Sequence, residues 1–367
     1  MSISSQQKET YCIMKRSVYR DKLRAAFLGR AAGCTLGAPV EGWTLEQMES
    51  YASKLGITYP CVNYWPSIPE PERVRYIIQT FGDYTLPNLD GIPCDDDIGY
   101  TILSLLIAEE GHGAVITLDD VKNAWLKYIT ECYTAERAAL DNLLAGVPAE
   151  KAAEINNPYD ELIGADIRID GYAYMAPGCP EKAVKNAYTD SYISHRSNGI
   201  YGAEYFAAVI SDAFTSGDVK KSLYKGLEYI PQDCELADGL RWALDIWDKA
   251  GDYRNAAKLV DERYPGMHTV HTINNACLTV FGLALGGKDL GKVISNCVAM
   301  AHDCDCTAAT AGSITGAAYG MSVIDEKWYK PFGDKVNSFF NGPKSYSIND
   351  LLSRYEKIAE TAVTFEE

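Results

Sequence analysis

The sequence has 367 residues, of which 47% are hydrophobic and 23% are charged, and its formal net charge is −16 at pH 7. This acidity and the lack of any run of Lys and Arg argue against a nucleic-acid-binding surface, because such surfaces depend on clustered basic side chains. The sequence contains neither an unbroken apolar stretch long enough for a membrane span nor an apolar signal-peptide segment, so we expect a soluble, cytoplasmic protein.

Helical patterns dominate the sequence. The segment 44–56, for example, opens with a capping box formed by Thr44 and Gln47 and ends at Gly56. Few stretches alternate with a period of two, which predicts little β-structure. No low-complexity linker divides the chain, so we expect one all-α domain over residues 1–367. The segments predicted to be helical are 21–37, 44–56, 97–111, 117–129, 198–214, 271–287, 288–302 and 347–360.

One segment interrupts this helical pattern. Residues 60–93 contain six of the fifteen prolines, which excludes a long regular helix. Long irregular segments in compact domains often form lids or binding loops. This segment ends just before three adjacent aspartates, Asp95, Asp96 and Asp97, which are followed by an apolar run.

Two acidic clusters each precede a predicted helix. Helix capping alone is enough to explain the three aspartates, because acidic side chains suit the N-terminus of a helix. Asp303 and Asp305 precede a helix rich in Ala and Gly, and residues two apart can share a ligand only in the turn that enters a helix. If the two entrances meet, the carboxylates repel one another unless cations neutralise them. Carboxylate oxygens favour Mg²⁺ or Mn²⁺, and shared carboxylates allow two ions.

Three smaller features each have an ordinary explanation as well as a functional one. Glu41 follows a Gly- and Pro-containing turn, which presents it in a defined direction, although a solvated surface glutamate would look the same. Cys304 and Cys306 form a C-x-C pair, which is a weak metal signal without further ligands. For His268 and His271 we prefer packing or hydrogen bonding near a cleft to zinc binding. The other cysteines are mostly scattered singly, as expected of reduced thiols in a core.

Taken in order, these features resemble the ADP-ribosylglycohydrolase family. The stretches that carry the resemblance are "GRAAGCTLGAPVEG" (29–42), "CDDDIGYTILSLL" (94–106), "SHRSNGIYGAEYFAAVI" (194–210), "HTINNACLTVFGLAL" (271–285) and "DCDCTAATAGSITGAAYG" (303–320). Together with "IRIDGYAYMAPG" (167–178), the variant "DDDIGYT" looks closest to the crystallin-J1-like branch. The resemblance implies an all-α, orthogonally packed domain. It further implies a binuclear magnesium or manganese site that cleaves the glycosidic bond between ADP-ribose and a protein side chain or small acceptor.

The resemblance also implies roles for individual residues. It places Glu41 near the water or the substrate. Glu41, Asp96 and Asp97 are the catalytic candidates, although Asp97 is a carboxylate that many relatives lack. The metal ligands that it implies are Asp95, Asp96, Asp303, Asp305 and Cys306. The substrate-contacting residues that it implies are Asp170, Gly171, Tyr172, Tyr174, His195 and Gly199.

Three cysteines depart from the family pattern. Cys34 stands where the family often has Asp, and Cys94 and Cys306 stand where it commonly has hydroxyl residues. Thiols bind Mg²⁺ poorly, so either the carboxylates suffice or the preferred metal shifts toward Mn²⁺ or a softer ion. Tyr172 and Tyr174 are bulky for a loop that admits ADP-ribose, which leaves the substrate less certain than the reaction class.

Other functions stay open on the sequence alone. The crystallin-like relatives include proteins not thought to be enzymes, although retention of the clustered aspartates argues for a working site. An N-glycosidase acting on another ribosyl nucleoside or nucleotide needs no pyrophosphate pocket, and the sequence has no clear Gly-rich phosphate cradle. A metal-dependent phosphohydrolase is the least favoured alternative. The oligomeric state is also left open.

Overall fold

The computed structural model describes residues 12–111, 113 and 115–367, and α-helices make up most of this part of the chain. The helices are α1 Arg16–Gly37, α2 Leu45–Leu55, α3 Asp96–Glu110, α4 Leu118–Tyr128, α5 Thr134–Leu144, α6 Asp170–Tyr174, α7 Pro180–Ser191, α8 Ser197–Ser216, α9 Val219–Gly226, α10 Glu235–Asp245, α11 Tyr253–Arg263, α12 Thr272–Gly286, α13 Leu290–Ala299, α14 Cys304–Tyr319 and α15 Ile348–Ala359. Short 3₁₀ turns connect several of them. The fold class is therefore all-α, as the sequence predicts.

The helices predicted from the sequence are present, with ends that differ by a few residues. The clearest case is α2, where the Thr44 hydroxyl accepts a hydrogen bond from the Gln47 amide and the Gln47 side chain accepts one from the Thr44 amide. Gly56 ends the same helix with a φ of 67°, a left-handed conformation that glycine adopts without strain. Local capping signals are therefore sufficient to predict this element.

Strands are short and pair only in twos among the described residues. β1 (Ile13–Lys15) runs parallel to β6 (Thr364–Glu366), with Ile13 opposite Thr364. The other two pairs are antiparallel, and they join β2 (Val74–Arg75) to β3 (Gln79–Thr80) and β4 (Val336–Asn337) to β5 (Ser345–Tyr346). The β2–β3 hairpin lies inside the proline-rich segment 60–93, which is otherwise irregular as predicted.

Helices α1 and α14 approach each other closely along a line of small residues. A Cβ atom on Gly312 would lie 2.2 Å from the Gly29 carbonyl oxygen, and one on Gly33 would lie 2.2 Å from the Ala308 carbonyl oxygen. At the end of α1, a Cβ on Gly37 would lie 2.5 Å from the Asp305 Cα. This contact explains the Ala- and Gly-rich composition of α14 and brings the end of α1 to the start of α14.

A buried arginine joins α1 to α3 and α6. The Arg30 guanidinium donates to Asp97 Oδ1 at 2.8 Å and to the Thr101 hydroxyl at 2.7 Å, and it forms an ion pair with Asp170 Oδ2 at 2.9 Å. Arg30, Asp97 and Asp170 have no side-chain exposure. The first turn of α3 is therefore held by charge from inside the protein.

Glu204 on α8 predicts a pH dependence of stability. Burial raises the pKa of its carboxyl group from 4.5 to about 7. The folded protein then binds this proton more tightly than the unfolded chain, so the free energy of unfolding falls as the pH rises through this range. We expect Glu204→Gln to raise the free energy of unfolding by about 1 kcal/mol at about pH 8, a value reduced for partial exposure to solvent, and to have no effect at about pH 4.

Urea unfolding of the wild type and the variant at both pH values measures this difference. Glu262→Gln, at a side chain that is 62% exposed, is the control and should change little at either pH. An equal gain for Glu204→Gln at both pH values would contradict the prediction.

Two further features concern membrane-spanning helices and the state of the cysteines. Among the helices of the described residues, none combines the length and the apolar character that crossing a membrane requires. All eleven cysteines are free thiols, and all but Cys12 and Cys234 are buried. This placement fits their use as small core residues.

Candidate active site

Carboxylates from three distant segments line one cavity of about 270 Å³, together with Glu136 of α5, which forms an ion pair with Arg168. Glu41 comes from the turn that follows α1, Asp96 from the start of α3, and Asp303 and Asp305 from the start of α14. The close contact between α1 and α14 accounts for part of this arrangement, because it sets Gly37 against Asp305. The two acidic helix entrances therefore meet in space.

The three adjacent aspartates cap α3 and also point to the site. Asp95 is the N-cap residue, and its Oδ1 accepts from the Asp97 amide at 3.2 Å. Asp96 lines the cavity, whereas Asp97 is fully buried and pairs with Arg30. Capping α3 and contributing to the site are therefore compatible, because the capping oxygen, Asp95 Oδ1, is not one that faces the site.

A strained turn positions the second acidic pair, Asp303 and Asp305. Ala301 and His302, directly before α14, both have left-handed φ values, 63° and 60°. Two consecutive non-glycine residues in this region cost energy and persist only when the surrounding structure fixes them. The Asp303 amide then donates to the Asn275 Oδ1 of α12 at 3.3 Å. Asp303 and Asp305 thereby share one side of the helix entrance, and each has an oxygen within 4.8 Å of the other and of a Glu41 oxygen.

Arg75, which the sequence did not point to, lies among these carboxylates. Its guanidinium pairs with Glu41 Oε2 at 2.6 Å, Asp95 Oδ2 at 2.9 Å and Asp305 Oδ2 at 3.0 Å. The side chain is only 11% exposed, and its charge lies 5.0 Å from the ring centre of Tyr76. The proline-rich segment therefore contributes directly to the site, although nothing in its composition marks the residue that does so.

Burial makes the charged forms of these clustered carboxylates costly. It raises the pKa of the Asp96, Asp97 and Asp305 carboxyl groups well above their usual range, and neighbouring carboxylates add to the rise. The pKa of Asp303 is raised to about 7, chiefly by burial and then by Glu41. Arg75 and Arg30 oppose these shifts without cancelling them. The cluster therefore favours additional positive charge.

The free oxygens of the cluster fit a divalent cation. Asp97 Oδ2, Asp303 Oδ1 and Asp305 Oδ1 are buried and have no hydrogen bond of ordinary geometry among the described residues. Such orphaned acceptors are costly unless something satisfies them. The Cys306 Sγ lies within 4.8 Å of oxygens of Asp97 and Asp305, but burial raises the pKa of this thiol well above its usual range. Hard oxygen ligands of this kind suit Mg²⁺ or Mn²⁺.

Comparison with known proteins identifies the family. The sequence model of the ADP-ribosylglycohydrolase family matches residues 15–359, which is nearly the whole chain. The chain belongs to the ADP-ribosylglycohydrolase family. Membership supports a hydrolase of glycosidic bonds, and the family is in general metal-dependent.

A solved structure entitled "ADP-ribosylglycohydrolase-related protein complex" has the same fold. It aligns with 95% of this chain and 100% of its own, with a TM-score of 0.62 and 17% identity, so the likeness concerns the fold alone. A search of curated proteins returns no match. The assignment to the crystallin-J1-like branch stays a prediction.

Six residues that the family resemblance placed at the substrate lie in the core instead. Asp170 pairs with Arg30, the Tyr172 hydroxyl donates to Asp190, and the Tyr174 hydroxyl bonds Ser313. None of the six is among the residues that line the cavity, and all six are buried: Asp170, Gly171, Tyr172, Tyr174, His195 and Gly199. In this structure the six residues lie behind the cavity wall, and their contact with substrate stays a prediction.

His268 and His271 both accept hydrogen bonds from backbone amides. His271 caps α12 by accepting from the Ile273 amide at 3.2 Å, and His268 accepts from the Val270 amide at 3.2 Å. Both observations agree with hydrogen bonding near the cleft rather than zinc binding. In this family member, Val270 itself lines the cavity. The sequence also gave no signal for Tyr76 and Tyr133, which line the cavity beside Asp96.

Proposed function

We propose that this family member is a divalent-cation-dependent hydrolase that releases ADP-ribose from a protein side chain or a small acceptor. One observation carries the proposal: carboxylates from three distant segments meet at one cavity, where several buried oxygens have no hydrogen bond of ordinary geometry. A structural core does not require such an arrangement, because unpaired buried carboxylates destabilise a fold.

The cation would be held by Asp303 and Asp305, each of which has an oxygen within 4.8 Å of a Glu41 oxygen, and an oxygen of Asp97 lies within 4.8 Å of one of Asp305. When bound, Mg²⁺ or Mn²⁺ supplies Lewis acidity and a place for the ribose hydroxyls. Asp97 cannot act as a base from its position, since it is fully buried and paired with Arg30. Its proposed role is therefore to bind the cation and to hold the start of α3.

Glu41 is the proposed proton acceptor for the attacking water. Its side chain is 35% exposed, so a water molecule in the cavity can reach it, and Arg75 fixes its orientation from one side. Asp96 also lines the cavity, where its negative charge would stabilise the oxocarbenium-like state of the ribose. Glu41 and Asp96 stay catalytic candidates in this proposal.

The size of the cavity favours a second candidate substrate. Pockets for ligands of drug size occupy about 300–1,000 Å³. This cavity, at about 270 Å³, is smaller, and Tyr76 and Tyr133 contribute to its lining. A smaller ribosyl compound, such as a nucleoside cleaved at its N-glycosidic bond, fits this volume without movement of the β2–β3 hairpin.

Product analysis distinguishes the candidates. The purified protein, stripped with EDTA and then supplied with Mg²⁺ or Mn²⁺, is incubated with ADP-ribosylated peptides, ADP-ribosylated small acceptors and nucleosides. We expect free ADP-ribose from the first two, no reaction without metal, and recovery when metal is restored. Ribose released from nucleosides alone would favour the second candidate. Release of inorganic phosphate, or hydrolysis that persists without metal, would contradict the proposal.

A further inference from the structure

Arg75 makes the contacts that a bridging cation would make. Its single guanidinium bridges Glu41, Asp95 and Asp305, at distances of 2.6, 2.9 and 3.0 Å. These three carboxylates come from three separate segments, and Arg75 comes from a fourth, 230 residues before Asp305. Arginine suits such a position because its planar donors stay charged when buried and can serve several carboxylates at once.

The same position cannot hold Arg75 and a divalent ion together. Mg²⁺ requires carboxylate oxygens at about 2.0–2.1 Å, and here the oxygens Glu41 Oε2, Asp95 Oδ2 and Asp305 Oδ2 face guanidinium nitrogens. A second cation placed among these oxygens would touch the guanidinium. Two unit positive charges about 4 Å apart repel by about 4 kcal/mol near a protein surface, and a divalent ion doubles that value.

Arg75 is held in place by more than the carboxylates. Its charge lies 5.0 Å from the ring centre of Tyr76 and 5.9 Å from that of Tyr84, which adds cation–π attraction. Tyr76 in turn stacks on Phe339 with ring centres 4.7 Å apart. The hairpin turn next to Arg75 has left-handed φ values at Tyr76 and Ile77, 49° and 63°. Backbone strain of this kind persists only where the surroundings impose it, so the position of Arg75 is built into the fold.

Buried carboxylate oxygens without a hydrogen bond of ordinary geometry remain on the residues next to Arg75 and its partners. Asp305 directs Oδ2 to Arg75 and leaves Oδ1 unpaired, and Asp97 Oδ2 and Asp303 Oδ1 are likewise unpaired and buried. Asp305 thus contacts the arginine with one oxygen and leaves the other for a cation, so that its negative charge serves both positive groups. This geometry provides for a single divalent ion beside a guanidinium.

We propose that Arg75 is a resident cation of this centre. It holds the position between Glu41, Asp95 and Asp305, so that the chain binds one divalent ion, beside Asp303 and Asp305 at the start of α14, and not the two that its family resemblance implies. The inference rests on the proposed cation dependence, but it concerns metal stoichiometry and is therefore tested without an activity assay.

Manganese titration of the full chain provides the test. The EDTA-stripped protein is titrated with MnCl₂ by calorimetry, and electron paramagnetic resonance then reports whether bound ions are isolated or exchange-coupled. We expect one isolated Mn²⁺ per chain in the wild type. Arg75→Met retains the aliphatic part of the side chain and removes the charge, and it should bind two Mn²⁺ ions with a coupled spectrum.

Two further variants keep the result interpretable. Arg75→Lys retains one positive charge and should still bind one ion. Arg73→Met, at a neighbouring arginine whose charge lies 5.0 Å from the Phe81 ring centre, is the matched control and should also bind one. Two coupled ions in the wild type would overturn the inference and leave the proposed function standing. One ion in Arg75→Met would also overturn it, and no bound manganese in the wild type would overturn both.

Discussion

Replacing Asp305 with Asn should abolish most of the hydrolysis while leaving the protein folded. One Asp305 oxygen pairs with Arg75, and the other is unpaired and free to bind the proposed cation. Asp305→Asn therefore removes the negative charge that faces both the arginine and the cation. An amide of the same shape neither neutralises a cation nor balances the arginine. We expect kcat/KM to fall at least about 10³-fold, which corresponds to ~4 kcal/mol of transition-state stabilisation.

The stability of this variant should move in the opposite direction. Burial and repulsion from Glu41 and Asp303 raise the pKa of Asp305, which means that its charged form destabilises the metal-free fold. Thermal unfolding of metal-free Asp305→Asn should therefore occur at or above the wild-type temperature. Asp248→Asn, at a side chain that is 87% exposed, controls for the loss of one surface charge. Wild-type activity in Asp305→Asn would show that hydrolysis does not depend on Asp305.

Arg30→Met should produce the largest loss of stability. The side chain is fully buried, and it pairs with Asp97 and Asp170, which are also fully buried. Removing one partner of a buried ion pair costs about 3–5 kcal/mol, because the remaining charge has no compensation. Urea unfolding measures the change, and the loss should be greatest above neutral pH, where protonation does not neutralise the two stranded carboxylates.

A second substitution tests the cause of this loss. Arg30→Met combined with Asp170→Asn removes one of the two stranded charges and should recover part of the stability lost in Arg30→Met. Arg24→Met on the same helix, where the guanidinium donates to Asn349 Oδ1 at 2.8 Å on the surface, should cost less than about 1 kcal/mol. A change within that limit for Arg30→Met would show that the buried pair is not needed for the fold.

Capping signals and periodicity were sufficient to predict many of the helices, because these features act within a few residues. The Thr44–Gln47 capping box and the start of α3 at the aspartates are examples. Helices such as α7 and α11 were not predicted. α7 begins after Cys179 without a side-chain cap hydrogen bond, and α11 is largely polar. Their formation depends on packing against neighbours, which a single sequence does not display.

In the candidate site, too, some residues were predicted from the sequence and others were not. The aspartates and Glu41 were predicted because their residue types and order resemble a known family. Arg75 was not predicted, because its role depends on where an irregular segment folds back. The six residues expected to contact substrate do not line the cavity, and the sequence does not show this for a related reason. A motif identifies which residues occur together, but it does not reveal which side of a helix faces a cavity and which faces the core, as Tyr172 and Tyr174 show.

The packing of α1 against α14 also has a consequence for folding during synthesis. The two helices lie close together in the fold, yet almost the whole length of the chain separates them. During synthesis, the small apolar residues of α1 emerge long before the surface that covers them exists. Contacts of such long sequence separation slow folding and leave apolar segments exposed in the meantime. The acidic centre needs both helices, so it cannot form until α14 has been synthesised and has packed against α1.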